Sequence, residues 1–174
     1  MMDITLKPLM LSDCTDDLLL HFRHCKAIRK QWIRSGKDWI LTEKTDVRQW
    51  SDEKKHWIPS YLKAQLERNG SVTGAYDGAV LVGFSAVDGE LYEGYANLTM
   101  LFVDDEKQGL GIGRLLFRAA CEAAAGLGAD RLYISAIPSV ETVAFYQAVG
   151  CRDVEVLEPF VDTEFDRPMA IDLK

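Results

Sequence analysis

Residues 104–117 read DDEKQGLGIGRLLF, and three glycines at alternate positions, Gly109, Gly111 and Gly113, precede an apolar run. A strand that enters a glycine-rich turn and then a helix gathers unpaired backbone N–H groups and the positive end of a helix dipole around one point, which suits a phosphate. A β-carbon at any of the three would hold phosphate oxygens off the amides, and the turn can demand φ values that only glycine adopts cheaply. A tight turn without a ligand needs one glycine; three of them beside Lys107, Gln108 and Arg114 favour an anion site. The dinucleotide pattern G-x-G-x-x-G starting at Gly109 fails at Arg114, and the chain has no Gly-Lys-Ser/Thr of a P-loop. The pattern that fits is Q-x-x-G-x-G, from Gln108 to Gly113. His21, His24 and Cys25 stand at i, i+3, i+4, but no fourth ligand follows and no metal is expected.

These residues need elements to position them. DITLKPL reads as an opening strand. From Ser12 to Gly36, acidic residues at the start and Leu18, Phe22, Cys25, Ile28 and Trp32 at helical spacing predict a helix, with a basic face across 21–37. Residues 36–58 read as irregular yet carry Trp39, Trp50 and Trp57, and Pro59 opens a helix that stops at Asn69-Gly70. Asp77-Gly78 between apolar runs predicts a hairpin, followed by the strand YANLTMLFV. Beyond the glycines, Ile112, Leu115, Leu116, Ala119, Ala120, Ala123, Ala124 and Leu127 mark one face of a helix. RLYISAI is then a strand, SVETVAFYQAVG a helix, and RDVEVL with RPMAIDLK a final strand pair around an acidic loop. The expected fold is one domain over residues 1–174: α/β, a mixed, mostly antiparallel sheet with helices on both faces.

The Q-x-x-G-x-G stretch, the apolar triplet Leu101-Phe102-Val103 before it, the strand RLYISA and the helix VAFYQAVGC together resemble the GNAT superfamily of acyl-CoA-dependent N-acetyltransferases. The resemblance covers most of residues 71–174. It implies acetyl-CoA as co-substrate, its pyrophosphate held by backbone amides of Gln108, Gly109, Leu110, Gly111, Ile112, Gly113 and Arg114. It implies that main-chain groups of Leu101, Phe102 and Val103 bind the pantetheine arm, and that an amide there polarises the thioester carbonyl. Tyr146 matches the family's tyrosine near the coenzyme sulfur, where it would protonate the departing thiolate; a core aromatic like Phe145 is the other reading. Many relatives carry asparagine where this chain has Glu141, whose ionised carboxylate cannot donate a hydrogen bond.

An alkyl amine with pKa near 10.4 is uncharged in only about one part in two thousand at pH 7, a penalty of roughly 4.6 kcal/mol on attack. Glu93, just before the central strand, is the first candidate base, with Asp88, Glu90 and Glu141 behind it; a water chain or a merely solvated Glu93 is the alternative. Asn97 and Thr99 either line the acceptor cleft or are ordinary strand polar groups. The tryptophan-bearing segment 36–58 and the acidic loop with Glu158, Asp162, Glu164 and Asp166 are candidate walls for a cationic amine.

Composition sets the outer bounds. With 48% hydrophobic and 27% charged residues the chain reads as globular, and 20 basic against 27 acidic side chains give a net charge of −7, which argues against nucleic acid or anionic membrane as partner. Four scattered cysteines and the absence of a leader-like start predict a cytoplasmic protein. Three activities remain in view: acetyl transfer to a small-molecule or peptide amine, a coenzyme A-binding module without turnover, and a protein-directed enzyme docking through the basic helix 21–37. A homodimer is compatible with each.

Overall fold

In a computed structural model describing residues 2–174, the chain orders as β1 (Ile4–Pro8), β2 (Cys25–Ser35), β3 (Asp38–Gln49), α1 (Asp52–Glu67), β4 (Ser71–Asp77), β5 (Val80–Val87), β6 (Tyr95–Val103), α2 (Ile112–Gly126), β7 (Arg131–Ala136), α3 (Val140–Ala148), β8 (Arg152–Asp153) and β9 (Arg167–Asp172). Seven strands form one sheet in the order β1-β4-β5-β6-β7-β9-β8, while β2 and β3 make a separate two-stranded hairpin. Every pair in the large sheet is antiparallel except β6 with β7.

Apolar residues at alternate strand positions and at helical spacing give the sheet a core on each face. On one face Phe117, Ala120 and Ala124 of α2 and Val143 and Tyr146 of α3 pack with Leu98, Leu132, Ile134 and Met169. On the other, Ile58 and Leu62 of α1 pack with Leu19, Phe22, Val72, Phe84 and Ala86. Among the described residues no helix is long and apolar enough to cross a membrane.

The segment 12–36 departs from expectation. It holds no basic helix: after turns through Asp16–His21 the chain runs into β2, and Gly36, at φ +62°, belongs to the two-residue turn closing Ser35 against Asp38. The runs on either side of that turn, QWIR and DWIL, are β-branched and aromatic, which favours a hairpin once each strand has the other to pair with. The spacing of Phe22, Ile28 and Trp32 imitated a helix because Phe22 and Ile28 are both buried, one in a turn and one in a strand. Residues 36–58 are likewise β3 and the first turns of α1, which begins at Asp52, so Pro59 lies inside the helix. Ser51 caps α1 by accepting a hydrogen bond from the Lys54 amide at 3.1 Å.

Candidate active site

The parallel pairing of β6 with β7 stops at Leu98 opposite Ile134. Past that point β6 continues to Val103 on β5 alone, and β7 continues to Ala136 on β9 alone, so the two strands splay. A bulge in β6 between Leu98 and Met100 sits at the divergence; there the Thr99 hydroxyl donates to the Ala86 carbonyl at 3.1 Å. Bulges bend and twist the strand that carries them. From Thr99 to Val103 the edge of β6 that faces β7 therefore has no strand partner, which leaves its main-chain groups free for an extended ligand.

The splay opens into a cleft of about 490 Å³, bounded by Leu98–Val103, the glycine turn, Ile134–Ile137 and the α3 face carrying Glu141, Phe145 and Tyr146. Among the described residues, none of the backbone amides from Gln108 to Arg114 has an acceptor within the protein. Gly109 and Gly111 have φ of +79° and +84°, and a β-carbon at either would meet nothing within 4 Å. Conformation demands glycine there, and the space in front of the amides is open. Gly111 is also the N-cap of α2, with no side chain capping the helix, so its first-turn amides remain available to an anion. Gly113 answers a different need, since its β-carbon would lie 3.2 Å from the Phe145 ring, and its absence lets α2 and α3 approach. Of the neighbouring polar side chains, Lys107 is bound to Asp77 at 3.0 Å, and the Gln108 amide group donates to the Val103 carbonyl at 3.3 Å.

Tyr146 lines this cleft while only 7% exposed, in edge contact with Phe117 and Phe145. Burial pushes its phenol well above the usual range, so the ring stays protonated. Among the described residues its hydroxyl makes no hydrogen bond, and the residue lines the cleft.

Glu93 stands elsewhere. It occupies the turn between Tyr92 and Tyr95 at φ +49°, exposed, at the opposite end of β6 from the glycine turn. From Tyr95 to Leu98 alone the strand spans about 10 Å, so a carboxylate before Tyr95 cannot reach the splay. Asp88 is held by Arg68 at 3.4 Å and by Gln65 at 3.3 Å and does not line the cleft. The carboxylates that do are Glu141 and Asp162. The Asp162 amide donates to Ser135 Oγ, which in turn donates to Asp166 at 3.0 Å, fixing the acidic loop beside β7 just past the divergence. Burial raises the Asp166 carboxyl.

The hairpin β2–β3 forms the remaining wall; segment 36–58 is expected from the sequence to wall the acceptor site, but as an irregular stretch rather than as a strand paired with β2. The Arg23 amide donates to Asp104 and the Cys25 amide to Asp105, tying its base to the end of β6. Its middle is tied to the start of α3: the Trp32 amide donates to the Pro138 carbonyl at 2.7 Å and Lys26 Nζ to Thr142 Oγ1 at 2.6 Å. His24, Lys26 and Arg48 thereby line the cleft. Among the described residues no group of three His, Cys, Asp or Glu side chains is placed to hold a metal ion.

The sequence model of the acetyltransferase (GNAT) family matches residues 33–151, more than half of the chain. The chain belongs to that family. Solved GNAT structures share its fold. A nourseothricin acetyltransferase superposes with a TM-score of 0.75 at 14% identity, covering 98% of this chain and 99% of its own. PaiA N-acetyltransferase from Thermoplasma acidophilum, solved with coenzyme A, gives 0.65 at 18% identity over 98% and 99%. The ribosomal-protein-S18-alanine N-acetyltransferase from Escherichia coli gives 0.61 at 16% identity over 98% and 94%. No curated protein matches this chain. This GNAT protein is an acetyl-CoA-dependent acyltransferase, and its cleft fits that co-substrate: open amides at a helix N-terminus for a pyrophosphate and an unpaired strand edge for an amide-bearing arm.

Proposed function

We propose that the protein transfers an acetyl group from acetyl-CoA directly to the primary amine of a small molecule or peptide bound in this cleft. The observation that carries the reading is the row of unengaged amides from Gln108 to Arg114 opening onto the splay of β6 and β7. When bound there, acetyl-CoA supplies the activated thioester. The amides of the glycine turn hold its diphosphate, and the free edge of Leu101–Val103 orients the arm so that the acyl carbon lies near the divergence. The amine nitrogen bonds to that carbon as the carbon–sulfur bond breaks. The phenol of Tyr146, kept protonated by burial, gives its proton to the departing thiolate and regains one from solvent.

The proton on the ammonium leaves through Asp162, directly or by a bridging water, because Asp162 lies beside Ser135 where β7 diverges. Glu141, in the first turn of α3, favours the positive end of that helix and is the second carboxylate in reach. Docking of a protein target through a basic helix at 21–37 has no helix to act through, since residues 21–24 are a turn end and irregular chain, 25–35 are β2 and 36–37 its turn. Free thiol released from acetyl-CoA across a panel of amines tests the proposal. Amine-dependent thiol release supports transfer, whereas tight coenzyme binding with no turnover on any amine would mark a binding module.

A further inference from the structure

Lys26 and Arg48 are directly opposite each other in the β2–β3 register, so their side chains leave the same face of the hairpin, and both line the cleft. Like charges directly opposite on paired strands are destabilising. Here they are also poorly neutralised. Among the described residues no carboxylate lies within ion-pair distance of Lys26, whose ammonium donates to the neutral Thr142 hydroxyl, and Arg48 reaches only Asp46, at 3.9 Å. Burial pulls the Lys26 ammonium down, Arg48 adding to that and Glu141 and Asp105 opposing it. His24 completes the wall, stacked on Trp50 at 4.4 Å and edge-on to Phe102 at 5.3 Å. In a chain of net charge −7, this wall is a local reversal of sign.

The amides at the start of α2 already offer the diphosphate its donors, and Lys26 and Arg48 are engaged with Thr142 and Asp46 rather than with that turn. His24 and Trp50 pack with Phe102 on the α1 face, whereas α2 and α3 share the opposite core. We infer that Lys26 and Arg48, with His24 beside them, form an anion subsite in the acceptor half of the cleft, and that the acceptor is an amine bearing a carboxylate or a phosphate. Asp162, on the β7 wall, takes the ammonium end, so the two walls select a zwitterion. The inference rests on the acetyl-transfer reading for its acceptor.

Matched pairs test it: 4-aminobutyrate against butylamine, and O-phosphoethanolamine against ethanolamine, with thiol release as the readout. The wild type should favour the anionic member of at least one pair by about tenfold or more in kcat/KM, the scale of one charge-assisted hydrogen bond. The pair that shows it separates carboxylate from phosphate. Lys26→Gln with Arg48→Gln should erase the preference by raising KM for the anionic member, leaving the bare amine and the calorimetric Kd of acetyl-CoA unchanged. A preference for bare amines, or a variant that loses acetyl-CoA affinity instead, would overturn the subsite; the second result would assign the cations to coenzyme phosphates. Should no pair turn over, 15N chemical shifts decide: 4-aminobutyrate or O-phosphoethanolamine must perturb the Lys26 and Arg48 amides in the coenzyme-free protein, and unmoved resonances reject the proposal whatever becomes of the transfer reading.

Discussion

At the scale of single residues, burial keeps the Tyr146 phenol protonated, the state that the proposed general acid requires. A phenol raised by desolvation gives protons poorly to water, so in the proposed reaction its donation depends on the thiolate forming directly beside it. Tyr146→Phe removes one oxygen and leaves the packing against Phe117 and Phe145 intact. Turnover should fall by about one to two orders of magnitude, in keeping with general acid catalysis, while acetyl-CoA affinity measured by calorimetry holds. Unchanged kcat would remove the acid. Glu93 illustrates the opposite case: a carboxylate chosen from its place in the sequence lies on the wrong end of its strand, and the direction of β6, visible only in three dimensions, decides the matter.

At the scale of elements, the hairpin β2–β3 is held by Arg167. Its guanidinium donates to both carboxylate oxygens of Asp153, at 2.7 and 2.8 Å, and lies 5.1 Å from the ring centres of both Trp32 and Trp39. Cation–π contacts contribute about 0.5–2 kcal/mol each. Arg167→Met should loosen the hairpin: amide exchange along β2 and β3 accelerates by about tenfold or more and acceptor KM rises, while acetyl-CoA binding stays. Unaltered exchange would mean that the ties to Asp104, Asp105 and Pro138 suffice. This is also the element the sequence hid. The β4–β5 turn, which falls at Gly78-Ala79, one residue past the expected Asp77-Gly78, the β6–glycine–α2 passage and α3 were legible because local chemistry determines them: positive φ at Gly78 and Gly111, and apolar spacing in α2. The hairpin was not, because Ile28 and Trp32 are four apart, a spacing that a helix and one face of a strand both allow. Lys26 and Arg48, 22 positions apart in sequence, become neighbours only through that hidden register.

At the scale of the whole molecule, three buried acids couple the fold to alkaline pH. Burial pushes the Cys121 thiol up to about 11, the Cys151 thiol up to about 12 and the Tyr146 phenol higher still. Each folded value exceeds the unfolded one, so their contribution is whole below the unfolded pKa values and is lost as pH rises through the folded ones. Melting temperature should therefore fall between about pH 9 and pH 12, and Cys151→Ala should shallow that fall. A flat profile would show that these groups are not protonated by the fold. The central claim, that bare amides at the start of α2 grip the coenzyme diphosphate, is tested most directly by titrating 15N-labelled protein with coenzyme A and following each amide. The account predicts that the resonances of Gln108 to Arg114 shift and gain protection from exchange at saturation. Saturable binding that leaves those seven amides unmoved would contradict it.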